Sequence, residues 1–118
     1  MLGRGGELIA RRHLEDGGWE ILATNYRFGR REVDIVARRE SLVSFIEVKT
    51  RSGTAFGSPM ESITWRKRRD IELVARAYLV QSRLWDADVR FDVVSVELPR
   101  NSTIRCQHIE DAWRPGWR

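Results

Sequence analysis

A chain of 118 residues, 42% hydrophobic and 32% charged, fits one globular domain over residues 1–118 with a heavily ionised surface and does not read as a disordered protein. Its apolar runs stop short of the ~20 residues of a membrane span and its first residues lack a signal-peptide core, so a cytoplasmic protein is expected. The net charge of +4 permits a polyanionic partner without requiring one.

In chain order, residues 4–16 predict a helix whose Ala10 and Leu14 share a face with Glu7, and Gly17 and Gly18 supply its stop. Residues 19–26 predict a strand. Residues 32–38 (EVDIVAR) and 42–49 (LVSFIEVK) are rich in β-branched residues across a short polar turn, the pattern of a hairpin. Both of its faces are largely apolar, which places these strands centrally. A loop with Gly53, Gly57 and Pro59 leads to a helix over residues 60–83, where Ile71, Val74, Ala75, Tyr78 and Leu79 form an inward stripe. Residues 89–98 predict a strand, Pro99–Ser102 a turn and residues 103–108 an edge strand. This order predicts an α/β domain with a central mixed sheet of about five strands flanked by helices, the long helix being the crossover between parallel neighbours.

Cys106 is alone, so no internal disulfide forms, and two His with one Cys cannot build a standard structural zinc site. A metal would have to sit on carboxylate oxygens, which suit Mg²⁺ or Mn²⁺. Nineteen of the 21 cationic residues are Arg, leaving Lys49 and Lys67 as the lysines. Strand geometry sends Glu47 and Lys49 to one face and Val48 to the other, and treats Glu32 and Asp34 alike on the neighbouring strand. A two-residue turn at Glu40 and Ser41 then sets Asp34 opposite Glu47 and Glu32 opposite Lys49. Carboxylates in such paired positions, with Cβ atoms about 4.5–5.5 Å apart, repel unless a cation or proton lies between them.

A helix glutamate followed by E-x-D and E-x-K on adjacent strands resembles the PD-(D/E)XK phosphodiesterase superfamily, the restriction-endonuclease-like fold. The layout is similar to its Holliday-junction-resolvase-like members. More closely, nearly the whole chain resembles the bacterial YraN-like family, through GRGGELIARRHL at 3–14, GWEILATNYR at 18–27, REVDIVAR at 31–38, FIEVKTR at 45–51, FGSP at 56–59, RKRR at 66–69 and RFDVVSV at 90–96. Arg31 stands where that pattern commonly has Gly. The resemblance implies a single endonuclease-like domain that hydrolyses DNA phosphodiester bonds with Mg²⁺ or Mn²⁺, with branched DNA as the substrate by analogy and a homodimer as the assembly of junction-type enzymes. It implies Asp34, Glu47 and the Val48 carbonyl as metal ligands, Lys49 as stabiliser of phosphoryl charge, and Glu7 as an accessory carboxylate completing the metal's shell or holding a water. Glu32 is an accessory candidate for positioning Lys49, and Arg51, Lys67 and Arg68 are candidates for backbone phosphate contacts.

Plainer readings exist for each. Glu47 and Lys49 alone would be a cross-strand ion pair, Glu7 and Arg11 a surface pair, and Arg66–Arg69 a solvated helix face. Asp92 reads as structural, and His13 and His108 as packing or surface residues. Trp113 and Trp117 read as covering an edge or forming a protein interface. The alternative function is a non-catalytic module that binds nucleic acid or a repair partner, recognisable by salt-sensitive, EDTA-insensitive binding without products.

Overall fold

The computed structural model describes residues 2–52, 63–98 and 103–117. Helix α1 spans Leu2–Asp16, followed by strands β1 (Glu20–Phe28), β2 (Arg31–Arg39) and β3 (Leu42–Ser52). Helix α2 (Trp65–Gln81) leads to strands β4 (Asp88–Leu98) and β5 (Arg105–Trp113). The five strands form one sheet in chain order. β1, β2 and β3 are an antiparallel meander, β3 and β4 run parallel through the α2 crossover, and β5 returns antiparallel at the far edge. The chain therefore has the expected α/β order and mixed sheet. The loop with Gly53, Gly57 and Pro59, residues 60–62 of the predicted helix, and the Pro99–Ser102 turn lie outside the described residues.

The helices cover opposite faces of the sheet. Ala10 and Leu14 of α1, with Trp19, pack on Ile35, Ala37, Ile46, Val94 and Val96. On the other face, the predicted α2 stripe from Ile71 to Leu79 packs on Val43, Phe45, Phe91 and Val93. Each such fully buried side chain contributes about 1.5–3 kcal/mol, so the two apolar layers hold the sheet in place. The alternation in β3 follows directly: Val43 and Phe45 face α2, whereas Ile46 and Val48 face α1. Glu47 and Lys49 consequently continue the α2 side.

Local chemistry fixes the element ends. Gly18 takes φ +90, the Trp19 N–H donates to Leu14 O at 3.0 Å and the Gly18 N–H donates to Glu15 O at 3.0 Å, closing α1 with a Schellman motif. Near the start of α1, a Cβ on Gly6 would lie 1.9 Å from Thr50 Oγ1, so only glycine lets the helix approach β3 this closely. α2 is shorter than residues 60–83. Thr64 is its N-cap, accepting the Lys67 N–H at 3.1 Å, and Arg83 at φ +56 follows its last turn.

The last strand is longer than predicted, running to Trp113 rather than ending at residue 108. Its register against β4 shifts between Phe91–Trp113 and Val93–Ile109, with Asp111 at φ +52 inside the bulge. Bulging hides the strand from a search for simple alternation. It also carries Trp113 into the core, where its ring stacks on Phe91 at 5.3 Å and its Nε1–H donates to Glu72 at 3.0 Å.

Candidate metal centre

The site grows from a break in β2. Val33 and Val36 pack on the α2 face, whereas Ile35 and Ala37 pack on the α1 face. Strict alternation would have put Val33 with Ile35. Neither β2 ladder includes Asp34: Tyr26 pairs with Val33, Thr24 with Ile35, and the β3 side runs from Ile35–Ile46 to Arg39–Leu42. Across from the break, Asn25 adopts φ +50, a left-handed conformation that asparagine tolerates better than most residues. The pairing of Ile35 with Ile46 has the expected register, but the backbone ladder stops there. The Asp34 side chain takes over, its Oδ2 accepting the Val48 N–H at 2.8 Å.

That hydrogen bond fixes the Asp34 carboxylate beside Glu47. The Glu47 side chain is only 6% exposed, and its Oε1 is buried without a hydrogen-bond partner. Its Oε2 lies 3.8 Å from Lys49 Nζ and 3.8 Å from Lys67 Nζ. Both separations exceed hydrogen-bond range, so these contacts are Coulombic. Burial, and then the charge and hydrogen-bonding demand of Asp34, push the Glu47 carboxyl up to about 8, against the pull of Lys67 and Lys49. Two carboxylates this close are relieved by a proton or a cation between them.

The other predicted site residues are placed as follows. Glu7 accepts a hydrogen bond from Asn25 Nδ2 at 2.8 Å. Burial raises the Glu7 carboxyl, Asn25 opposes the rise, and Asp34 and Glu32 add to it. Glu32 takes Arg27 Nε at 3.4 Å, so the expected Glu32–Lys49 pairing is replaced by one with β1, and Lys49 turns to Glu47. The reason is the break at Asp34, which ends the β2–β3 ladder before Glu32. Val48 lies on the α1 side and supplies its N–H to Asp34. Arg51 is ion-paired with Glu97 at 3.2 Å. Arg68 lies over Trp65 at 4.8 Å and over Trp113 at 5.7 Å, whereas Lys67 points to Glu47.

Two features escaped the sequence reading. Asn25 orders Glu7 and marks the strand break, a role visible only once its backbone conformation is known. Ser95 is the β4 neighbour of Lys49, 1% exposed with Oγ unpartnered, and its place in an apolar strand was the available signal.

The donors suit a hard divalent ion: two close carboxylates, one with an unpartnered buried oxygen, and no sulfur. Among the described residues no group of three or more His, Cys, Asp or Glu side chains is disposed to hold a metal. A bound ion would therefore draw on Asp34 and Glu47, completed by backbone carbonyl, water or substrate oxygens. Among the same residues no helix is long and apolar enough to cross a membrane.

The sequence profile described as "Uncharacterised protein family UPF0102" matches residues 6–96. The chain is 40% identical over 117 residues to the UPF0102 protein of Chlorobium chlorochromatii, covering 95% of this chain and 90% of that protein. It is 43% identical over 112 residues to one from Frankia alni, covering 95% and 93%, and 38% identical over 112 residues to one from Rhodococcus opacus, covering 95% of each.

Proposed function

The chain belongs to the UPF0102 family, the YraN-like family of the sequence resemblance, and we propose that it is a Mg²⁺- or Mn²⁺-dependent DNA nuclease on the PD-(D/E)XK, restriction-endonuclease-like fold. The observation that carries this reading is the Asp34–Glu47 pair. A half-buried Asp34 and a nearly buried Glu47 lie together, Glu47 with an unpartnered oxygen and a carboxyl held up to about 8, beside the ammonium groups of Lys49 and Lys67. A structural ion pair would hydrogen-bond its buried oxygens; here Glu47 Oε1 has no such partner and both ammonium groups stand 3.8 Å from Oε2, outside hydrogen-bond range.

Asp34 and Glu47 would hold the ion, and Val48 is the backbone carbonyl candidate. When bound, such an ion supplies Lewis-acid polarisation of a phosphoryl oxygen and a lowered water pKa. Lys49 sits where its charge would stabilise the extra negative charge that builds on a phosphoryl group during attack. Glu7, held by Asn25 at the α1 side of the break, would orient a water. The β2–β3 ladder stops at Ile35–Ile46, next to the pair, and a backbone phosphate would approach there. Branched DNA is the substrate class to try first, by analogy with junction resolvases.

Purified protein is incubated with duplex, single-stranded and four-way-junction DNA in Mn²⁺. Metal-dependent cleavage that is reduced at least a hundredfold by Asp34→Ala, an effect of roughly 3 kcal/mol on the barrier, is the expected result. No cleavage at high protein concentration, or equal cleavage by the variant, overturns it. Binding that is indifferent to EDTA and yields no products would identify a binding module instead.

A further inference from the structure

The chain contains two lysines against nineteen arginines, and both ammonium groups lie 3.8 Å from the same atom, Glu47 Oε2. Every other ion pair among the described residues uses Arg or His as the cation. The distinction is chemical. An Arg fork locks onto a carboxylate through paired hydrogen bonds, whereas an ammonium is a compact charge on a flexible stem that can leave. Neither lysine is hydrogen-bonded to Glu47, so neither is locked.

The two differ in freedom. Lys49 stands on β3 two residues from Glu47 and shares its face, so it stays beside that carboxylate. Lys67 arrives from the first turn of α2, a separate element; its side chain is 35% exposed against 28% for Lys49, so what sets it apart is that no strand holds it beside Glu47. A divalent ion on Glu47 would be repelled by an ammonium this close.

We propose that Lys67 is the exchangeable cation of this centre: it partly neutralises Glu47 in the metal-free protein, gives way when a divalent ion binds, and turns to a phosphate of the nucleic-acid backbone. This rests on the metal-centre reading above and deepens it. Metal loading and substrate grip are thereby linked, because the ion that occupies the pair also frees a phosphate ligand. Lys49 does not take this part, since its strand keeps it at the pair.

Isothermal titration of Mn²⁺ into the metal-free protein tests the exchange, with Lys67→Gln, Lys67→Arg, Arg69→Gln and Asp34→Ala compared with wild type. Lys67→Gln binds Mn²⁺ roughly three- to tenfold more tightly, since a like charge is gone. Lys67→Arg binds it more weakly, since a fork now holds Glu47, and Arg69→Gln, the same charge change on an exposed residue of α2, leaves it unchanged. In Ca²⁺, Lys67→Gln also binds four-way-junction DNA more weakly, and its salt slope falls by about one. Unchanged or weaker Mn²⁺ binding in Lys67→Gln, or equal tightening in Arg69→Gln, overturns the exchange. If wild type binds Mn²⁺ through Asp34 and Lys67→Gln does not differ, the Lys67 proposal alone falls. If wild type binds no Mn²⁺, the metal-centre reading falls with it.

Discussion

Two acids are buried in one sheet, and their surroundings differ in kind. Asp92, on the α1 side of β4, is fully buried yet accepts from Arg90 through Nε and Nη2 at 2.9 Å each, from His108 Nε2 at 2.7 Å and from the Asp111 N–H at 2.9 Å. These donors outweigh desolvation and lower its carboxyl to about 2. Glu47, on the α2 side of β3, has an unpartnered Oε1, ammonium groups beyond hydrogen-bond range and a carboxyl raised to about 8. Burial is common to both, so burial alone does not mark a functional acid. Satisfaction does. Asp92 is complete as folded, and the plain structural reading of it fits; Glu47 keeps an oxygen without a hydrogen-bond partner, which is what the proposed metal reading uses.

Substitution separates the two most strongly. Asp92→Ala removes the acceptor shared by Arg90, His108 and the Asp111 N–H, leaving Arg90 only its longer pair with Glu110, and costs about 3–5 kcal/mol, a large share of the ~5–15 kcal/mol that holds a domain together. Urea unfolding of the metal-free protein measures this directly. Glu47→Gln puts a neutral group of nearly the same shape where burial and Asp34 already disfavour the charged form, and changes stability by less than about 1 kcal/mol. The same variant loses Mn²⁺ stabilisation, which for the native protein at a hundredfold excess over Kd is about 2.7 kcal/mol. Equal destabilisation by the two substitutions would erase the contrast.

pH sharpens it. The folded chain holds the Glu47 proton more tightly than the unfolded chain does, so its contribution is fully present below the ordinary value of 4.5 and lost as pH rises to about 8. Glu7, also raised, acts in the same direction. Asp92 is lowered, so its contribution is present above 3.8 and lost as pH falls to about 2. Metal-free stability should peak near the start of the alkaline decline, whose size is of order a few kcal/mol. Melting temperatures across pH 3–9 check this, and Glu47→Gln should flatten the alkaline limb while leaving the acid limb intact. Saturating Mn²⁺ should flatten it too, because a metal holds the ionised form.

Much of this was legible in the sequence because it is periodic. The β-branched runs gave the hairpin, the stripe from Ile71 to Leu79 gave the inner face of α2, and the two-residue turn gave the register from Ile35–Ile46 to Arg39–Leu42. What failed is what departs from period two. The break at Asp34 moves Glu32 away from Lys49 and onto Arg27, and the bulge at Asp111 lengthens β5 and frees the N–H that Asp92 accepts. Both are backbone events at residues whose side chains look ordinary in the sequence. Lys67 illustrates a third kind of gap: its candidacy for a phosphate contact was readable, but the partner it meets belongs to a strand that only the fold brings near.

A partly offset effect concerns how the α1 end of the candidate site is seated against the sheet. Gly6 precedes Glu7 on α1, and a Cβ there would lie 1.9 Å from Thr50 Oγ1 and 3.1 Å from Thr50 Cβ. Gly6→Ala therefore forces either Thr50 to rotate or the start of α1 to lift from β3, at a cost of about 1–3 kcal/mol, offset in part by alanine's better helix propensity. The lift would carry Glu7 away from Asn25, so Mn²⁺ affinity should weaken by more than global stability alone accounts for. Adding Thr50→Ala removes the clashing hydroxyl and should recover part of both losses. The Asp92 cluster lies farther along the same face and owes nothing to this contact, so the acid limb of the stability profile should stay where it is. A shift of that limb in Gly6→Ala would mean the two regions are mechanically coupled through α1, and the comparison would have to be redrawn as one network.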